Sequence, residues 1–178
     1  IPGLPDPELF TPEALNLLDE QLRGALTTQL IQPADVQGLN WPTLAEARGK
    51  VLLILDEGGA KRDWYYNNWQ TRPMFTNAPE GHPAAGVMII NDPIKDFARI
   101  QRLVKAGYLV RTRADAGTLE ARSNDTLRRD RAFASGAQAI STDYYRAATH
   151  FGNDYRVAID GGVRCNPCLL YTSDAADD

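Results

Sequence analysis

The stretch AGYLVRTRADAGT, residues 106–118 of a 178-residue chain, decides how the fold is read. Gly107 punctuates it and Tyr108 to Val110 are good strand formers, so it opens as a short buried β-strand. It then ends in Arg111, Thr112, Arg113 and Asp115. Strand alternation sets Leu109, Arg111 and Arg113 on one side and Tyr108, Val110 and Thr112 on the other. Two guanidinium groups buried without partners are costly, so these arginines must meet either structural carboxylates or an anionic ligand.

The same grammar repeats on both sides of this strand. Upstream, GVMIIND (86–92) is an apolar run ending in Asn91 and Asp92, followed by Pro93 and a helix whose apolar face is Ile94, Phe97, Ile100 and Val104, stopped at Gly107. Downstream, SNDTLRRDRAFAS (123–135) reads as a capped helix ended by Gly136, and AQAISTD (137–143) as a further strand. Nearer the start, Thr11 and Pro12 open a helix over 12–27 with Leu15, Leu18, Leu22 and Leu26 on one face. Thr43 and Glu46 form a capping box, with Gly49 closing that short helix. KVLLILD (50–56) is a continuous strand, AKRDWYYNNW (60–69) a brief helix and PMFTN (73–77) a short strand. Five apolar strands alternating with amphipathic helices make an α/β protein with parallel strands.

Composition narrows the function. With 43% hydrophobic and 24% charged residues the chain is a foldable domain, and a net charge of -4 with no basic block argues against nucleic-acid binding. No apolar segment reaches membrane-spanning length. No targeting segment is read from residue 1 onward, and Ile1 points to an amino terminus lying upstream. Cys165 and Cys168 form a C-x-x-C among Asn and Pro near the end of the chain, a poor setting for a redox helix. Residues 168–178 read as a non-native tail on a domain spanning 1–167.

Polar residues collect at the carboxyl ends of the strands: Asp56 and Glu57, Asn77, Asn91 and Asp92, Arg111, Arg113 and Asp115, then Asp143 with Tyr144. In parallel α/β architectures ligands bind at that edge. Loop starts alone account for about half of these residues, and least well for the arginines.

The blocks WPTLAEARGKVLLILDEGGAKRDWY, NAPEGHPAAGVMIINDP, YLVRTRADAGT and GAQAISTDYY resemble the calcium-dependent phosphoinositide-specific phospholipase C family of bacteria and fungi, from the first residues to about Pro167. The last two strands are also similar to those of the wider phospholipase-like phosphodiesterase barrels, including the glycerophosphodiesterases. The resemblance implies a partial (β/α)8 TIM barrel holding about the last five of eight strands. It implies a phosphoric diester hydrolase cleaving a glycerophosphoinositide to diacylglycerol and an inositol phosphate, dependent on Ca2+, secreted, and touching a membrane surface peripherally. A glycerophosphodiester phosphodiesterase or a non-catalytic binder of lipid or sugar headgroups is the alternative. The family's paired acid–base histidines and its calcium ligands lie on earlier strands with no match here, so catalytic groups and metal ligands are expected upstream and the piece alone is expected to be inert. His82 and His150 are not assigned that role.

The substrate-binding candidates are Asp56, Arg111, Arg113, Asp143 and Tyr144. Within a barrel both arginines point inward, and Arg113, nearer the strand's carboxyl end, is the better placed for a phospholipid headgroup or other phosphodiester. For Arg111 a structural ion pair with Asp143 or Asp56 is an equal alternative. Tyr144 either meets a sugar ring or packs. Lys61 and Arg62 read as solvated.

Overall fold

A computed structural model describes residues 11–159, 161–162 and 164–169. The chain divides into two compact units, one up to Val87 and one from Met88 onward.

In the first unit, helix α1 (Pro12–Leu26) begins where Thr11 accepts a hydrogen bond from the Ala14 N–H at 3.2 Å, with proline at its first position. Leu15 is fully buried with Tyr65 and Met74, and Leu18, Leu22, Leu53 and Leu55 pack around them. The expected face is therefore the packing face, and the helix stops one residue early, at Leu26. Strand β1 (Leu30–Ile31) was not expected from its sequence. It pairs in parallel with β2 (Val51–Leu52), while β3 (Ile54–Leu55) pairs in parallel with β4 (Phe75–Thr76). The run expected as one strand over 50–56 thus changes neighbour at Leu53, whose carbonyl accepts from Phe75 N–H at 2.9 Å. It is not an unpaired edge, because β1 covers its first half. The helices α2 (Leu44–Ala47), closed by the reciprocal Thr43–Glu46 box, and α3 (Gly59–Tyr66) complete the unit with a 3₁₀ turn at Trp69–Thr71.

In the second unit, β5 (Val87–Ile89), β6 (Leu109–Arg113) and β7 (Ala139–Ser141) form one sheet in that order, with β6 and β7 parallel and Arg111 opposite Ala139. β6 alternates as expected: Tyr108, Val110 and Thr112 are buried, whereas Leu109, Arg111 and Arg113 are half-buried. Helix α4 (Phe97–Lys105) packs on β6 through buried Ile100, Leu103 and Val104. It starts a turn later than expected, because Asp92 spends its carboxylate on the Ile94 and Lys95 N–H groups of a preceding turn, which leaves Ile94 41% exposed rather than on the buried face. The stretch after Arg113 holds two helices. A short α5 (Leu119–Ser123) ends at left-handed Asn124, and α6 (Leu127–Ala134) follows. A second core gathers Ala114, Ala121, Tyr144, Ala148, Tyr155 and Val157.

The α/β class with parallel strand pairs is present, but strand pairing among the described residues falls into three sheets and closes no barrel. The strands are two to five residues long, at the short end of what globular proteins use. Of the expected tail at 168–178, only 168–169 lie within the described residues. No helix among the described residues is long and apolar enough to cross a membrane.

Candidate functional site

Register places the expected residues at strand ends. In the first unit Asp56 and Asn77 follow β3 and β4 side by side, and the Asn77 amide donates to Asp56 Oδ1 at 2.6 Å. The other Asn77 amide atom, Oδ1, is buried without a partner among the described residues. His82 folds back on its own turn, its Nδ1 accepting from the Ala84 N–H at 3.1 Å while its ring meets the edge of Tyr66.

In the second unit the two arginines of β6 divide. Arg111 donates to Asn91 Oδ1, at the end of β5, at 2.5 Å. Asn91 belongs to a larger frame. Arg128 of α6 reaches its backbone carbonyl at 3.4 Å, Asp92 at 3.6 Å and Glu120 at 2.7 Å, and Glu120 in turn accepts from the Ala116 N–H. Burial alone pushes the Glu120 carboxyl up, but the Ala116 N–H and the Arg128 guanidinium outweigh it and hold it below the usual range. The Lys95 N–H holds the Asp92 carboxyl low in the same way. The side chain of Arg113, two residues along, has no hydrogen bond or ion pair among the described residues, although the residue is half-buried. A guanidinium carries five donors, and no described residue takes up any of these.

Beside it, buried Asp115 braces the ends of β6 and β7: Thr142 Oγ1 and the Asp143 N–H both donate to its carboxylate. That brace turns the Asp143 side chain out to solvent, where it has no partner among the described residues. Tyr144 lies 8% exposed, edge-on to Tyr155 at 5.6 Å and tilted against Phe151 at 6.2 Å. Its ring is therefore occupied by packing, not offered to a sugar. Tyr155 donates to the Ala114 carbonyl, and burial, with the Asp115 charge, pushes its hydroxyl up to about 12. The structure thus gathers Arg111, Arg113 and Asp143 around the ends of β6 and β7. It keeps Asn91, which the sequence placed at that edge without making it a binding candidate, and adds Arg128 and Glu120, for which the sequence held no signal.

The family model for Ca2+-dependent phosphoinositide phospholipase C matches residues 3–167, and the chain belongs to that family. No curated protein and no solved structure matches the chain. The family's description carries calcium, yet among the described residues no group of three or more His, Cys, Asp or Glu side chains is placed to hold a metal ion. The described residues therefore do not make a calcium centre by themselves, and calcium is given no step in the chemistry assigned to them.

Proposed function

We propose that this chain is the phosphate-recognition part of a secreted phosphoinositide phospholipase C whose parallel strands belong to a (β/α)8 barrel. One observation carries the reading: Arg113, half-buried at the end of β6, has no protein partner among the described residues, while its neighbour Arg111 is tied to Asn91. In the reaction the inositol 2-hydroxyl oxygen bonds to phosphorus as the bond to the diacylglycerol oxygen breaks, and the hydroxyl proton passes to the leaving oxygen. Charge rises on the non-bridging oxygens. Arg113 is aimed at those oxygens, and such a contact is worth most where charge develops. Arg111 holds its neighbour's strand end through Asn91, and the Arg128–Glu120 pair stiffens that end from the helix side. Exposed Asp143, at the end of β7, offers an acceptor for headgroup hydroxyls. Tyr144 acts as a wall. The acid–base pair is assigned to no residue of this chain. The substrate sits in a bilayer, so the enzyme works from its surface without spanning it.

The test is product analysis by phosphorus NMR on phosphatidylinositol vesicles, with the complete protein and its Arg113→Ala variant. Cyclic inositol phosphate as product, falling at least tenfold in rate in the variant, supports the proposal. Turnover of glycerophosphoinositol in preference to the lipid would favour the glycerophosphodiesterase reading instead.

A further inference from the structure

Exposed hydrocarbon in the second unit gathers where the chain leaves the sheet. Ile94 follows β5, Leu119 and Leu127 are the first residues of α5 and α6 after β6, and Tyr145 follows β7. All four are exposed, Leu119 at 72% and Tyr145 at 68%. Single apolar side chains on a surface are ordinary, but these stand in the connections that follow three adjacent strands. Arg111 bonds Asn91, so the carboxyl end of β5 lies beside that of β6, and β7 runs parallel to β6. The Arg128 cluster then sets three of the four around one point. Its guanidinium holds Asp92, whose carboxylate accepts from the Ile94 N–H, and Glu120, which directly follows Leu119, while Arg128 itself directly follows Leu127. Neither leucine is needed to seat its helix, because the buried residues of α5 and α6 are Ala121 and Ala132. Tyr145 adds an aromatic body with a polar tip, the Arg146 guanidinium lying over its ring 5.3 Å from the centre, a pairing suited to the boundary between water and hydrocarbon.

The family's phosphoinositide substrate lies in a bilayer, with its phosphodiester just above the acyl chains. An edge that presents Arg113 to that phosphate has to lie against the same surface, and apolar side chains carried on the edge reach the boundary layer with it. We propose that Ile94, Leu119, Leu127 and Tyr145 form a ridge that enters the headgroup–acyl boundary of a phospholipid bilayer and sets the depth at which the end of β6 works. The ridge deepens the phospholipase reading above and rests on it. Its attraction is apolar, since the Arg128 guanidinium at its centre is taken up by Asp92 and Glu120.

Co-sedimentation of the complete protein with phosphatidylcholine vesicles containing phosphatidylinositol tests it. The parent is expected to bind and to stay bound in high salt, and the double variant Leu119→Gln, Leu127→Gln to bind at least tenfold more weakly, with an unchanged thermal melt because both side chains are exposed. On monomeric dihexanoyl phosphatidylinositol the double variant is expected to turn over as the parent does, whereas Arg113→Ala is expected to lose rate on monomer and vesicle alike. The two readings therefore fail separately: a normal rate in Arg113→Ala breaks the phosphate reading, and vesicle binding by the double variant equal to the parent's breaks the ridge. A parent that does not sediment with the vesicles, or is released from them by salt, overturns the ridge as well. So does a double variant with a clearly lowered melt, which would mean that another part of the complete chain covers the leucines, or a parent dimer that the double variant dissociates, which would seat a second copy there instead.

Discussion

Arg72 in the first unit and Arg113 in the second show two ways of housing a guanidinium. Arg72 is 8% exposed, bonded to Asp19 at 2.8 Å and to Asn16 at 2.7 Å, and lies 4.4 Å from the ring centre of Trp64 and 4.9 Å from that of Tyr65. Tyr65 closes the arrangement by donating to the other Asp19 oxygen at 2.6 Å, and burial with that carboxylate beside it drives the Tyr65 hydroxyl far above its ordinary value. Of the Arg72 side chain, the Nε is buried without a hydrogen-bond partner among the described residues. Arg113 is half-buried on a strand end with no such company among the described residues. The desolvation cost is similar in kind, but in one case side chains of the protein meet most of it and in the other no described side chain does. Partnering, more than burial or residue type, is what differs between the two arginines.

The sharpest way to break this contrast is Asp19→Ala. It strands a buried charge and the Tyr65 hydroxyl together, and should cost roughly 3–5 kcal/mol of stability in urea unfolding. A loss below about 1 kcal/mol would make Arg72 no more structural than Arg113. Arg113→Ala should do the reverse: stability within about 0.5 kcal/mol of the parent, but transition-state stabilisation in the complete enzyme down by roughly 2–4 kcal/mol, read as kcat/KM. Glu120→Gln lies between, loosening the Arg128 frame at a cost of about 1.5–3 kcal/mol, and it should blunt the acid sensitivity of the second unit. The sign follows from the lowered carboxyls of Glu120 and Asp92: their stabilisation is complete above the unfolded carboxylate range, about pH 4.3 for Glu and 3.9 for Asp, and fades as pH falls through the lower folded values. Thermal melts taken downward from pH 5 in parent and variant should therefore converge. The smallest effect is expected at Thr112, whose buried hydroxyl oxygen has no hydrogen-bond partner. Thr112→Val removes that orphan and should be neutral or stabilising by up to about 1 kcal/mol, so a clear loss in the melt would mean the hydroxyl has work to do.

Much of the frame was legible because it is written in local rules. Thr11 with Pro12 starts α1, the Thr43–Glu46 box starts α2, and period-two alternation groups Tyr108, Val110 and Thr112 on one, buried, side, each within a few residues of its cause. What escaped depends on distant neighbours. Strand β1 is two residues between polar flanks and exists because Val51 and Leu52 lie alongside it. The break at Leu53 marks a change of partner within one apolar run. At the ends of β6 and β7, the half-buried position of Arg113 was legible from strand alternation, but the tie of Arg111 to Asn91 joins residues 20 apart, and the packing of Tyr144 needed Tyr155 and Phe151 beside it.

Gly136 ends α6 with φ at +79°, and a methyl group there would come within 2.4 Å of Cys168 Sγ and 2.8 Å of Asn166 Oδ1. The empty space above its α-carbon is thus a seat: Asn166 donates to the Gly136 carbonyl at 2.7 Å, and the Cys168 thiol donates to the Ser135 carbonyl at 3.1 Å. The two thiols are consequently unequal to a reagent. Cys165 stands exposed and should label with a maleimide at the pace of a free peptide, whereas Cys168 must first lift off its seat and should label slowly. The ratio of the two labelling rates then works as a clock for how often the carboxyl-terminal turn leaves the helix end, and Gly136→Ala should set that clock running fast.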